Sequence, residues 1–304
     1  MAEVRLRTAL ETHPIGALLR GGTITDPDVA LDFVEVAPIH RAFAPMVREQ
    51  SYDLSELAVV TALQALAYGH PIAILPVVVA ARFQRKCLIS HRSRPITEPG
   101  QLRGRRIGVR AYTQTTGMWV RSHLAEDFGL GAEESHWVTQ DEAHVPEYTN
   151  PAFVDRTLSG SLVEALRTGV VDAAVLGNDL PGGDEFLPVI ERAAERDLAW
   201  SAAHGYTPVN HLVAVSTEVL EREPAAVAGA YALLCRAEET AARQASAGRA
   251  DTPRLTMTGP ERLSGPIEEI ADACFAQGLL PRRLTAEEVF GPVRGLSEAA
   301  PTGN

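Results

Sequence analysis

Over roughly its first two hundred residues this chain alternates short apolar runs with stretches of helical periodicity, and that alternation restricts it to an α/β architecture. The runs with strand character are Val4–Leu10, Leu31–Val36, Ile72–Val79, Arg106–Val109, His136–Val138, Asp172–Leu176 and His211–Ser216. Helix-start signals stand between them. Ser55 ahead of Glu56-Leu57-Ala58-Val59-Val60, and Thr115 ahead of Gly117-Met118-Trp119-Val120, carry hydroxyls that satisfy the first free N–H groups of a helix. Gly129 closes the second of these helices as a C-cap. After His211 the pattern is helical only: Pro224 to about Ala247, Pro266 to about Gln277, and a capping box at Thr285-Ala286-Glu287-Glu288. Stretches 92–104 and 181–184 read as loops.

A chain of 304 residues, 45% of them hydrophobic, has the length and the apolar content for two domains of ordinary size. Its net charge of -11, without a long basic run, lacks the electrostatic footprint of a nucleic-acid binder. A small anion remains an admissible ligand, because a few arginines or a helix N-terminus attract an anion against the overall sign. Cys87, Cys235 and Cys274 are far apart and without CxxC spacing, so they are expected as buried thiols. Met1-Ala2-Glu3-Val4-Arg5-Leu6-Arg7 enters a strand pattern with no export signal ahead of it, and no segment approaches the roughly 18 apolar residues of a membrane span. The expected location is cytoplasmic, with no membrane partner.

Four segments, in order and spacing, resemble the 4,5-dihydroxyphthalate decarboxylase family and the wider superfamily on the type II periplasmic-binding-protein fold. They are Tyr52-Asp53-Leu54-Ser55-Glu56-Leu57; Leu75-Pro76-Val77 followed by Arg82-Phe83-Gln84-Arg85; Leu102 to Val109 leading into Tyr112-Thr113-Gln114-Thr115-Thr116-Gly117-Met118-Trp119-Val120-Arg121; and Pro208-Val209-Asn210-His211-Leu212-Val213-Ala214-Val215. The sequence departs from the family at Glu11-Thr12-His13 and over Asp141–Tyr148, where substrate would be read. The resemblance implies a two-lobed α/β fold with a ligand cleft between lobes. Lobe I would be 1–88 plus 208–304, and lobe II 89–207. Ligands in such sheets sit beyond the carboxyl ends of the strands, at helix N-termini.

That rule selects the candidate residues. Thr113, Gln114, Thr115 and Thr116 follow a strand and open a helix, where free N–H groups and the helix dipole make an anion site; the alternative is a plain cap. Ser55, at the other expected helix start, is a second such position. Arg82 and Arg85 could grip a carboxylate in a bidentate pair or form a structural ion pair, with Arg82 the better placed. Arg41 and Arg121 read as surface or interlobe residues. His144, in the divergent loop, and Asn178, after a strand, are further substrate-binding candidates; for both, an ordinary loop or turn is the alternative.

The resemblance implies a cofactor-independent, non-oxidative decarboxylation of a hydroxylated aromatic carboxylic acid. Such a reaction needs a proton delivered to the ring carbon that loses carbon dioxide, and a firm grip on the carboxylate. A donor titrating near neutrality favours histidine, or a carboxyl whose pKa is raised. His211, on the return strand, is the first choice for this acid, followed by His13 after the first strand and Glu56 at the expected helix start. The spacing of His136, His144 and Glu147 matches no zinc pattern, so no metal is expected. Two other classes stay open: a cytosolic solute-binding or sensing protein for an aromatic carboxylate, and another enzyme on this fold, such as a dehydratase or synthase of the futalosine route. The expected partner is a small aromatic carboxylate, with a homodimer allowed by exposed-looking C-terminal helices.

Overall fold

The computed structural model describes residues 3–177, 180–246 and 253–299. Its chain divides into two compact units. One runs to Arg82 and resumes over Val209–Asp272 and from Arg282; the other holds Phe83–Pro208 and Ala273–Pro281.

The first unit opens with β1 (Val4–Ala9), α1 (Pro14–Arg20), β2 (Val29–Phe33), α2 (Phe43–Glu49), β3 (Leu54–Ala58), α3 (Val59–Ala67) and β4 (Ile72–Ala81). The second unit follows with β5 (Leu88–His91), β6 (Arg106–Val109), α4 (Thr115–Phe128), β7 (His136–Thr139), β8 (Val154–Asp155), α5 (Leu162–Thr168), β9 (Ala173–Val175), β10 (Phe186–Pro188) and α6 (Ala193–His204). The chain then returns through β11 (Val209–Ser216), α7 (Thr217–Arg222), α8 (Pro224–Ser246), β12 (Met257–Thr258), α9 (Pro260–Ala276), α10 (Ala286–Phe290) and α11 (Arg294–Ala299).

In the first unit the sheet order is β12-β4-β11-β3-β1-β2, with β1 parallel to β2 and β3, and β11 antiparallel to β3 and β4. The inner strands are buried on both faces, which is why Ile72–Ala81 reads as a continuous apolar run rather than an alternation. On one face α8 lays Val227, Ala230, Leu234 and Ala237 against the sheet, residues at the i, i+3, i+4 spacing of a helical stripe. Each fully buried Val or Leu there contributes about 1.5–3 kcal/mol, so this stripe holds α8 against the sheet.

In the second unit the order is β10-β5-β9-β6-β7-β8, parallel from β9 through β8 and antiparallel at β5 and β10. Gly129, at φ 60°, ends α4 in the left-handed conformation expected of it. Segment 273–281 belongs to this unit rather than to the first, and so do Phe83 to Leu88. The anchor is Gln277: its carbonyl accepts from the Tyr112 hydroxyl at 2.9 Å, and its side-chain oxygen from Arg121 Nε at 2.7 Å.

Three sequence expectations change here. Residues 54–58 are a central strand and not the start of a helix, so α3 begins only at Val59. Helix α9 starts at Pro260, with Pro266 inside it, because Pro260 already occupies the first-turn place that Pro266 was expected to hold. Cys235 is half-buried, while Cys87 and Cys274 are buried as expected. No helix among the described residues is long and apolar enough to cross a membrane.

Candidate active site

Strands β1, β3 and β4 run in one direction, so the chain leaves Ala9, Ala58 and Ala81 at the same edge of the first unit's sheet; β11, running the other way, starts there. Register then decides which side chains meet. His211 stands opposite Ala58 and Val213 opposite Glu56, making His211 and Glu56 diagonal neighbours on one face of the ladder. Against β4 the register of β11 shifts on both sides of His211, the kind of irregularity that re-aims a side chain.

Glu56 is the centre of the cluster, with its side chain 0% exposed. Its Oε1 accepts from His211 Nδ1 at 2.6 Å. Its Oε2 accepts the backbone N–H of Glu11 at 3.0 Å. His13 Nε2 lies 3.3 Å from the same Oε2, close enough for an ion pair yet poorly aligned for a hydrogen bond, so His211 is the firmer partner. Burial pushes the Glu56 carboxyl up, but the facing His13 and His211 nitrogens more than reverse this and hold it well below the usual carboxylate range. Glu56 is therefore a buried anion bonded to His211. It does not fill the role of a proton donor considered for it. The Phe43 ring of α2 meets the His211 ring edge-on at 5.3 Å and fixes its other side.

The remaining candidates fall out unevenly. Arg82 follows the last residue of β4, beside the start of β11, and is half-buried at the same sheet edge. Arg85 is corrected: its buried guanidinium is taken up by Asp127 (2.9 and 3.2 Å) and Asp197 (2.8 Å) inside the second unit, which leaves no fork for a substrate carboxylate. Ser55 is corrected as well. It sits buried in β3 with its hydroxyl donating to the Glu56 carbonyl at 2.9 Å, and the helix start it was expected to cap lies at Ala58, which has no side-chain cap.

In the second unit, Thr113 to Thr116 do occupy the turn from β6 into α4, but the N-cap is Gln114 rather than Thr115 and makes no capping hydrogen bond. Gln114 Oε1 and Thr115 Oγ1, at the start of this 14-residue helix, are buried without a hydrogen-bond partner among the described residues. His144 is half-buried in the segment between β7 and β8. Asn178 lies outside the described residues. Arg121, read as a surface or interlobe residue, is buried between the rings of Tyr112 (3.9 Å) and Trp137 (4.9 Å), and Arg41 is exposed. No cluster of three or more metal-ligating side chains occurs among the described residues. The sequence reading missed the Glu11 N–H and Phe43, since a backbone amide and a lone phenylalanine carry no motif.

Two units of this topology make a protein of the periplasmic-binding-protein fold, and solved structures agree. The aliphatic sulphonate binding protein SsuA of Escherichia coli superposes with a TM-score of 0.60 at 14% identity, over 96% of this chain and 100% of that one. The desulfurization enzyme DszB gives 0.56 at 14% identity, over 98% of each chain. The curated relatives carry a more particular name. The 4,5-dihydroxyphthalate decarboxylase of Comamonas testosteroni is 24% identical over 318 residues, spanning 91% of this chain and 95% of that protein. The protein of the same name from Pseudomonas putida is 30% identical over 131 residues, 41% of this chain and 50% of that one. No family model matches the chain.

Proposed function

We propose that the chain is a cofactor-independent, non-oxidative decarboxylase of a hydroxylated aromatic mono- or dicarboxylic acid of the 4,5-dihydroxyphthalate kind. The observation that carries this reading is the buried, ionised Glu56 held against His211 Nδ1 at 2.6 Å. An anion at Nδ1 fixes the ring and offsets the positive charge it bears when Nε2 is protonated too, which is the arrangement of a histidine general acid. The names of the curated relatives support the same reaction class.

In the reaction, the Nε2 proton passes to the ring carbon bearing the carboxylate. The bond from that carbon to the carboxylate then breaks, its electron pair returns to the ring, and carbon dioxide leaves. His211 is left neutral and regains a proton from water, so one carboxylate and one proton become one arene hydrogen and one carbon dioxide. A ring hydroxyl assists by supplying electron density to the protonated carbon. In the first unit Arg82, which follows β4, is the residue we assign to the substrate carboxylate. In the second unit the start of α4, with Thr113, Gln114, Thr115 and Thr116, is the proposed anion contact, supported by the missing side-chain cap at Gln114, and His144 is a candidate for a hydroxyl contact.

The test is turnover of a panel of hydroxybenzoates and hydroxyphthalates by the purified protein, with and without chelator, following carbon dioxide release and substrate loss together. Release that survives chelation is the expected result. Tight binding without release would replace the enzyme by a binding or sensing protein.

A further inference from the structure

The two imidazoles beside Glu56 are not equivalent. His13 is the N-cap of α1, and its Nδ1 accepts the Gly16 N–H at 3.2 Å. A ring nitrogen that accepts a hydrogen bond carries no proton, so the His13 proton sits on Nε2, the atom facing Glu56 Oε2. The turn is built around this arrangement. Glu11 donates its N–H to the same Oε2, and its carbonyl oxygen lies 2.0 Å from where a Cβ on residue 16 would stand, so only glycine closes the turn.

His211 is arranged the other way round. Its Nδ1 faces an ionised oxygen and must carry the proton, while its Nε2 makes no hydrogen bond among the described residues. Glu56 from β3 is the anion that both imidazoles face; Arg82 follows β4 at the same sheet edge, α2 brings the Phe43 ring against His211, and β4 pairs Ala80 with it.

We propose that His13 is a positioning residue locked as the Nε2–H tautomer, and that His211 alone exchanges a proton with substrate, through Nε2. This rests on the decarboxylase reading for its chemical half only. A proton added to His13 Nδ1 would set two N–H donors against each other and undo the cap of α1, whereas a proton added to His211 Nε2 meets no such conflict.

The experiment is a long-range proton–nitrogen correlation spectrum of the histidine rings in the full chain at neutral pH, joined to kinetics of His13→Asn and His211→Asn. The expected spectrum has opposite tautomers, with His13 bare at Nδ1 and His211 protonated there. Asparagine caps helices well, so His13→Asn should lower turnover by about tenfold and keep the shape of the pH–rate profile, against roughly 10²–10⁴-fold for His211→Asn. A protonated His13 Nδ1 would overturn the proposal, and so would a His13→Asn profile that loses the same limb as His211→Asn. If His13→Asn does not fold, the wild-type spectrum still decides, with the His211 ring assigned by its own variant and the His13 ring by coupling of Nδ1 to the Gly16 amide. Opposite tautomers in a protein that decarboxylates nothing would sink the reaction while leaving the ring assignment in place.

Discussion

Glu56→Gln preserves the volume of the side chain and removes its charge, and the geometry around it fixes the consequence. Three N–H groups converge on the carboxylate: His211 Nδ1 at 2.6 Å on one oxygen, and the Glu11 amide at 3.0 Å with His13 Nε2 at 3.3 Å on the other. A primary amide offers one acceptor oxygen and two donors, so in either orientation an N–H would face an N–H. The Glu11 amide cannot give up its hydrogen, whereas His211 can move its proton to Nε2. The amide oxygen should therefore turn towards Glu11 and His13, and its NH₂ group should donate to a bare His211 Nδ1.

The His211 ring would then lack the anion that offsets its charge when doubly protonated. The corresponding aspartate-to-asparagine exchange in a serine-protease triad lowers kcat by roughly 10⁴, so a loss on the order of 10²–10⁴ in kcat is expected here, at nearly unchanged substrate affinity. Stability should fall by about 1–3 kcal/mol at pH 7, because charge-assisted bonds to a buried group are lost. The pH dependence has a definite sign. The Glu56 carboxyl sits lower in the folded chain than its ordinary 4.5, so its stabilisation is present above that value and is lost as pH falls below it. Urea unfolding of both proteins at pH 7 and pH 3.5, with kcat measured at pH 7, should show a stability gap that narrows in acid. A kcat within about threefold of wild type, or a gap of equal size at both pH values, would refute the positioning role.

His123 gives an independent acid response in the second unit. It is buried against Trp119 and Trp200 with neither ring nitrogen hydrogen-bonded, and burial, with the Arg85 and His204 charges, pulls its pKa from 6.5 down to about 3. The unfolded chain then binds more protons between those values, so stability drops as pH falls from 6.5 towards 3, by roughly 2 kcal/mol at pH 5. His123→Leu should flatten that slope in unfolding titrations, and parallel curves would contradict it. Arg85→Met leaves Asp127 and Asp197 without their partner and should destabilise by about 3–5 kcal/mol. Calorimetric affinity for the preferred hydroxyphthalate should stay unchanged in that variant, since Arg85 is an ion-pair residue; a weakened ligand would restore its binding role. Arg82→Ala should raise KM by tenfold or more with kcat within a few-fold, and a change confined to kcat would move Arg82 into the proton chemistry.

How much of this was legible in the sequence depended on whether a residue's place follows from its own segment or from pairing at a distance. Arg106–Val109 and the capping box at Thr285 fall where local pattern puts them, because register with other strands does not enter. His13 and His211 were found by a topological rule, that chemistry gathers where parallel strands end, and both do lie at that edge. The rule could not say that they share one carboxylate, which depends on Val213 pairing with Glu56 and on the register shift at His211. Nor could it separate Arg82 from Arg85. Three residues apart, one stays at the sheet edge while the other is drawn into the second unit by Asp127 and Asp197, acids lying 42 and 112 residues further along the chain.

The misreading of residues 54–58 is the instructive failure. Leu54-Ser55-Glu56-Leu57-Ala58 runs into Val59-Val60-Thr61-Ala62-Leu63, and a helix starting at Ser55 makes the serine a cap and the glutamate an ordinary first-turn anion, so no residue is in conflict. A strand reading instead puts a glutamate in the middle of a sheet with both faces covered, an arrangement local rules reject because a buried carboxylate needs partners that the segment does not contain. The structure takes that second course and supplies the partners from elsewhere: one amide from the β1–α1 turn and two imidazoles from positions 13 and 211. A local inconsistency that the fold tolerates only with help from distant residues is where function is to be sought. The clash between a central strand and Glu56 therefore becomes a pointer to the candidate site only once the pairing of β3 with β11 is known.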